Sequence, residues 1–484
     1  MRKQLIAIIT LALLLSNYIQ NVSFADDRFE EVRKKVNKLI NDGKVSSMSI
    51  AVAKDGKIIW EEAFGWSDLE NKVRATPHTK YRSGSIAKTI TATGLMTLVE
   101  KGQVELDKPI LDYIPHVKIR SFVGAEKEIT VRHIVNHRSG MPSYCELFFE
   151  DNTEGPRDFL ETINRYGIFT FTPGWSYIYS NLGYELIAYL ISEVSGLDYS
   201  WYINENVFLP LGMMESKVHK RGSAIDQIAI CYTPDFKPIP DYWASYPGAS
   251  DIYFSAHDLI RFAMFHLKDH LKGQKAILSD ETIDKMQEAY PPSNTRYGIG
   301  WNFYVNDAGY RSVHHGGEGP GSDNFMRLIP SEDIALVILC NNEIGNTLGE
   351  IQEEICTALI PDFNKPEETQ EETQTEQSDS QEQKMPEGFL GRWKGEIVAY
   401  DREIEVELRV TDTEGARIIL SEQKESKVDL AVVTDNFLLV YFPGTIPTPD
   451  GKRHPDKIRL ALVRQGDRIS GQATVDHWVE ERQI

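Results

Sequence analysis

A chain of 484 residues has the length for two or three domains and a large buried core, which excludes a mini-protein held together by disulfides or metal. Its 52 basic against 72 acidic residues give a net charge of −20, which repels phosphate backbones and anionic headgroups and argues against nucleic acid as a partner. With 41% hydrophobic and 26% charged residues the composition is that of a globular protein, not of a disordered or fibrous one.

Residues 1–25 read as a signal peptide. Arg2 and Lys3 precede an apolar run from Leu5 to Leu15, and Ser23-Phe24-Ala25 supplies a small-x-small cleavage site before Asp26. The run is short for a bilayer span, so no stable membrane segment is expected after cleavage, and the mature protein is expected to be secreted or periplasmic. Four cysteines, Cys145, Cys231, Cys340 and Cys356, lie too far apart to form a disulfide framework and read as small buried thiols. None has metal-type spacing, and no cofactor or metal is called for.

Residues 26–363 mix helix and strand. Apolar positions at helical spacing run from Phe29 to Ile40, behind a cap at Asp26 and Asp27. Met48 to Val52 and Lys57 to Trp60 flank Asp55-Gly56 as a β-hairpin. A helix is predicted from about Ser85 to Glu100, stopped at Gly102. Near the end, Asn324 to Ile329 and Ile334 to Leu339 read as antiparallel strands turning at Pro330 to Asp333, followed by a helix over Ile351 to Leu359. Strands at both ends with helices between predict an α+β fold, an antiparallel sheet covered by helices.

Residues 364–387 form an acidic, Gln/Glu-rich linker with eight acidic residues and two lysines. From 388 to 484 the pattern turns to period two: Glu396 to Ala399, Ile404 to Val410, Ile418 to Leu420, Phe437 to Tyr441, Ile458 to Val463 and Ile469 to Thr474 predict a small all-β barrel. Its opening Gly391-Arg392-Trp393 resembles the G-x-W start of lipocalin-like barrels.

Three short elements carry chemistry. Ser85-Ile86-Ala87-Lys88 stands at a helix start, where positions i and i+3 share a face, so an amine meets a hydroxyl beside free N–H groups. Tyr179-Ser180-Asn181 offers a phenol that serves as a base when cations lower its pKa, and an amide able to hold both a lysine and a substrate. His315-Gly316-Gly317-Glu318-Gly319 is a glycine-rich stretch that lets a substrate backbone approach closely. Each alone has a bland reading: a cap with a surface lysine, a polar turn, a glycine-rich loop.

In this order the three elements resemble the penicillin-recognising serine hydrolases, a family of class C β-lactamases, D-alanyl-D-alanine carboxypeptidases, D-aminopeptidases and esterases. Phe208-Leu209-Pro210-Leu211-Gly212-Met213, Ser255-Ala256-His257-Asp258-Leu259 and Tyr297-Gly298-Ile299-Gly300-Trp301 are similar to further family segments, so the resemblance covers most of Ile50 to Ala358. It implies that Ser85 is acylated, that Lys88 and Tyr179 share the proton transfers, either serving as acylation base, and that Asn181 positions lysine and substrate. His315 completes the catalytic set, the backbone N–H groups of Ser85 and Glu318 form the oxyanion hole, and Gly316 and Gly317 line the cleft.

Histidine stands at 315 where class C β-lactamases carry lysine, and Asn302, not a basic residue, follows Trp301. Peptidase, amidase or esterase activity on a small substrate is therefore expected over β-lactam hydrolysis, with the barrel shaping access or homo-oligomerisation. The alternative is a non-catalytic penicillin-binding or sensor protein whose barrel is the ligand module. His266 and His270, four apart, have metal-type spacing without a third ligand and read as a solvated face. The aromatic stretch Tyr242 to Tyr253 is expected either to wall the cleft or to pack on a helix.

Overall fold

The computed structural model describes residues 27–365 and 387–475, apart from short segments at 122–124, 144–146, 151–157, 171, 221, 223–224, 290–295, 399–402, 412–414, 422–424, 434–436, 445 and 447–456. Residues 1–26, on which the expected signal peptide falls, most of the expected linker at 364–387 and Cys145 lie outside the described residues.

The first sheet collects strands from both ends of its part of the chain. In chain order the strands of this sheet and of the short β4–β5 pairing beside it are β1 (Ser47–Lys54), β2 (Lys57–Asp68), β3 (Val73–Arg74), β4 (Tyr81–Arg82), β5 (Ile252–Phe254), β6 (Asn302–Val305), β7 (Arg311–Gly319), β8 (Ser322–Ile329) and β9 (Ile334–Cys340). The main sheet has the order β6-β7-β8-β9-β1-β2-β3, while β4 and β5 pair outside it. Ile50 of β1 faces Ile338 of β9, and His315 and Gly317 of β7 face Met326 and Asn324 of β8.

Every residue of β9 is buried, because the sheet is covered on both faces. Ile334, Leu336 and Ile338 pack with the helices α1 (Glu30–Asn41) and Asn346–Leu359. Ala335, Val337 and Leu339 face the larger helical layer. That layer is built round α2 (Ala87–Glu100), with α3 (Asn181–Ser195) and α4 (Ala256–His266) beside it. Four threonines in α2 are unfavourable by propensity, yet all are buried and return their hydroxyls to carbonyls three or four residues back, so packing outweighs propensity.

The second sheet has seven strands, β10 (Gly391–Val398), β11 (Glu403–Thr411), β12 (Gly415–Leu420), β13 (Ser426–Val433), β14 (Phe437–Pro443), β15 (Lys457–Gln465) and β16 (Arg468–Val475), paired in chain order as a nearly closed antiparallel barrel. Phe389, Leu408, Ile418, Leu438, Val440 and Phe442 are among the residues filling it.

The α+β expectation, the hairpin and the closing strands agree with the structure, and four details differ. The first helix is preceded by a 3-10 turn, with Phe29 at its N-cap and no side-chain cap bond. The barrel gains β13. The glycine-rich stretch at His315 is a strand, β7, not a loop. His266 is buried in the helical layer, its Nε2 2.9 Å from Thr93 Oγ1, while His270 lies beyond the helix 2.9 Å from Asp280. Cys231, Cys340 and Cys356 are buried free thiols.

Burial holds the His266 pKa at about 3, below its unfolded value near 6.5. Below pH 6.5 the unfolded chain therefore takes up a proton that the native one refuses. Stability is lost as pH falls from 6.5 towards 3, by about 1.4 kcal/mol per pH unit for this group. His266→Gln keeps a polar group for Thr93 and removes the titration, so urea unfolding at pH 7, 5.5 and 4.5 is expected to show a shallower decline than wild type. Parallel declines would contradict this.

Candidate active site

The short pairing of β4 with β5 delivers the chain to Ser83, and a 3-10 turn over Gly84–Ile86 leads it into α2. Ser83 is fixed twice on the 249–252 segment, its N–H donating to Ile252 O at 2.8 Å and its hydroxyl to Ser250 O at 2.5 Å. Lys88, on the first turn of α2, is fully buried. Its Nζ donates to Ser85 Oγ at 3.0 Å and to Ala249 O at 2.9 Å. The ammonium also lies 4.7 Å from the centre of the Tyr179 ring and 5.8 Å from that of Tyr184.

The serine turn meets strand β7 where neither side carries a side chain. Gly84 has φ +51°, and a Cβ there would lie 2.5 Å from Gly317 C and 2.7 Å from Glu318 N. A Cβ on Gly317 would lie 2.1 Å from Ser83 O. Both glycines are thus required by close approach, which sets the Glu318 N–H beside the serine turn. Asn324 of β8 ties the two together: its Nδ2 donates to Arg82 O at 2.7 Å and to Gly317 O at 3.1 Å, while its Oδ1 accepts from Cys340 N. Gly316 is different, since a Cβ there would reach only ordinary contact with Phe325, 3.7 Å away.

His315 is buried, its Nε2 3.3 Å from Tyr297 Oη and its Nδ1 2.7 Å from Gly316 O. Burial, reinforced by the Lys88 charge, pushes its pKa down to about 3, so the ring is neutral at physiological pH. Tyr179 lies in a segment laid against residues 137–143. Asn181 opens α3 and is held through its backbone, its N–H donating to Ser143 O at 2.8 Å. Ser85, Lys88, Tyr179, His315 and Gly317 are therefore brought together around the Lys88 ammonium, whereas the lysine's second hydrogen bond goes to Ala249 and not to the Asn181 amide.

Three contributors were not singled out by sequence reasoning. Ala249 acts through its carbonyl, Asn324 stitches β8 to the serine turn, and His137 packs against Tyr179 with ring centroids 4.4 Å apart. Arg82 is buried between Asp241, at 2.6 Å, and the faces of Tyr242 and Tyr253. The aromatic stretch at 242–253 thus packs on β4, the strand before the serine turn, and also on a helix, since Tyr246 lies against α3 with its hydroxyl 3.0 Å from Ser192 Oγ. The backbone of the stretch, not its rings, is what touches Lys88.

Comparison with known proteins bears on the family and the fold. The Beta-lactamase family model matches residues 31–354. The chain is 31% identical over 314 residues to the putative penicillin-binding protein PbpX of Bacillus subtilis, covering 64% of this chain and 74% of that protein. The octameric penicillin-binding protein homologue from Pyrococcus abyssi shares the fold over 91% of this chain and 97% of its own, with a TM-score of 0.58 and 23% identity. D-amino acid amidase from Ochrobactrum anthropi SV3, solved with D-phenylalanine, does so over 69% and 99%, with a TM-score of 0.57 and 23% identity.

Proposed function

The chain belongs to the beta-lactamase family, and from that membership we propose that it is an exported serine hydrolase cleaving amide, peptide or ester bonds of small substrates through an acyl-enzyme on Ser85. The observation that carries the reading is the 3.0 Å contact between a fully buried Lys88 amine and the Ser85 hydroxyl, at the point where the serine turn abuts Gly317 and Glu318.

In this reading Ser85 Oγ bonds to the substrate carbonyl carbon as its proton passes to the Lys88–Tyr179 pair. The N–H groups of Ser85 and Glu318 take the charge that develops on the carbonyl oxygen. The C–N or C–O bond then breaks, the leaving group departs with the proton, and water attacks the acyl-enzyme by the reverse proton route to regenerate Ser85. Asn181 and His315 orient the substrate, with Gly316 and Gly317 leaving room for its backbone. A neutral His315 offers no cation for a β-lactam carboxylate, which supports amidase or peptidase activity over β-lactamase activity. The amidase and penicillin-binding relatives point the same way. The run of residues 1–25 supports export, and no helix among the described residues is long and apolar enough to cross a membrane. The barrel is assigned to shaping access or self-association, as the octameric relative suggests.

Ser85→Ala is expected to abolish turnover of D-amino acid amides and p-nitrophenyl esters with an unchanged unfolding midpoint. Turnover at the wild-type rate in that variant would refute the proposal.

A further inference from the structure

The residues that precede the Tyr179 segment in space come from 137–143, and they meet it along its whole length. Gly174 N–H donates to Arg138 O at 2.8 Å, Ile178 N–H to His137 O at 2.8 Å, Ser180 N–H to His137 Nδ1 at 3.0 Å, Ser180 Oγ to Pro142 O at 2.6 Å and Asn181 N–H to Ser143 O at 2.8 Å. Within 137–143, His137 makes two of these bonds, and they fall on either side of Tyr179. His137 accepts from the residue before it through its carbonyl and from the residue after it through its ring.

His137 is held there under two adverse conditions. Its φ is +58°, the left-handed region that is unfavourable for a residue other than glycine or asparagine. Because Nδ1 accepts a hydrogen bond, the ring proton sits on Nε2, which is buried without a hydrogen-bond partner among the described residues. The ring is enclosed by Tyr177, Tyr179, Tyr184 and Tyr297, with centroids 5.7, 4.4, 5.1 and 4.6 Å away. The charged and titratable groups acting on it are those tyrosines with Lys88 and His315, and burial first, then the Lys88 charge, keeps the imidazole neutral. Neutrality is required by the geometry, since a protonated ring has no acceptor for Ser180 and sets a second cation against Lys88. A glycine or asparagine would relieve the backbone, and glycine would leave Ser180 N–H without its acceptor.

We infer that His137 is a positioning residue for the proposed reaction, bracketing Tyr179 by hydrogen bonds to Ile178 and Ser180 and so holding its phenol at the Lys88 ammonium. This rests on the reading of Ser85, Lys88 and Tyr179 given above. The atom that matters is Nδ1, and two substitutions separate it from mere bulk. In His137→Asn the side-chain oxygen falls near the Nδ1 position and the left-handed backbone is tolerated, so the Ser180 bond survives. In His137→Gln the carbonyl falls near Nε2 and the bond is lost.

The full chain is tested in a double-mutant cycle with Tyr179→Phe, reading the rate at which a fluorophosphonate modifies Ser85, alongside hydrogen exchange of the 178–181 amides. His137→Gln is expected to slow modification by about 10- to 100-fold and to deprotect the Ser180 amide, while His137→Asn stays within about threefold of wild type. In the Tyr179→Phe background the Gln substitution is expected to add no further loss, because the group it positions is gone. Equal rates for Gln and Asn, or a loss by Gln that is undiminished in Tyr179→Phe, would overturn the inference, and the latter would assign His137 a general structural role. If Gln does not fold, His137→Ala takes its place in the cycle. If wild type itself is not modified, the hydrolase reading fails, and exchange alone judges the bracket: deprotection of Ser180 in Gln but not in Asn sustains it, and equal protection overturns it.

Discussion

Lys88→Met is expected to slow acylation of Ser85 by about 10²- to 10⁴-fold, the range lost when a positioned acid–base group is removed, without lowering the thermal unfolding midpoint. The two outcomes diverge because the lysine is costly to the fold and valuable to the chemistry. It is fully buried, and the Ser85 hydroxyl and the Ala249 carbonyl, to both of which it donates, are neutral oxygens. Burying an ammonium in such surroundings is unfavourable, and an apolar side chain of the same length replaces it with little loss of packing. The chemistry loses the amine that lies 3.0 Å from the nucleophile. Pre-steady-state acylation by a chromogenic ester together with a thermal melt checks both halves. Acylation within about tenfold of wild type would remove Lys88 from the proton transfer and leave it to Tyr179.

Gly317→Ala is expected to cost about 10²- to 10³-fold in acylation, as when an oxyanion donor is lost, and to lower the unfolding midpoint by several degrees. A Cβ at 317 would sit 2.1 Å from Ser83 O, a backbone atom, so strand β7 has to withdraw from the serine turn and carry the Glu318 N–H with it. The neighbouring Gly316→Ala is the control. Its Cβ meets Phe325 at 3.7 Å, an ordinary contact, so that variant is expected to keep its midpoint and to lose less than about threefold in rate. The pair separates close packing at the site from the general cost of removing a glycine. Equal behaviour of the two would contradict the close approach of Gly84 and Gly317.

How far the sequence exposes this arrangement depends on how each contact is made. Ser85 and Lys88 are legible because i and i+3 on a helix share a face whatever surrounds them, and β9 is legible because its apolar residues are continuous. The strand at His315 is obscured by Gly316, Gly317 and Gly319, residues that normally interrupt strands, of which Gly317 here admits the serine turn. β13 is carried by the alternation Lys427-Val428-Asp429-Leu430, which the adjoining charged run Glu422-Gln423-Lys424-Glu425 masks. Ala249 carries no chemical signature at all, since it acts through a carbonyl 161 positions from its lysine. His137 and Asn324 act across sequence distances of 43 and 242 residues, and neither stands in a motif whose spacing betrays the contact. The His266–His270 pair misled because helical spacing says nothing of which face is buried or where the helix ends; α4 stops at His266.

The account rests on Ser85 as the nucleophile, and the direct measurement is the mass of its peptide after the chain from Asp26 onward has been incubated with a fluorophosphonate and, separately, with a fluorescent penicillin. The account predicts one adduct on Ser85 with at least one probe and none in Ser85→Ala. An adduct confined to another residue, or no adduct with either probe, would contradict it.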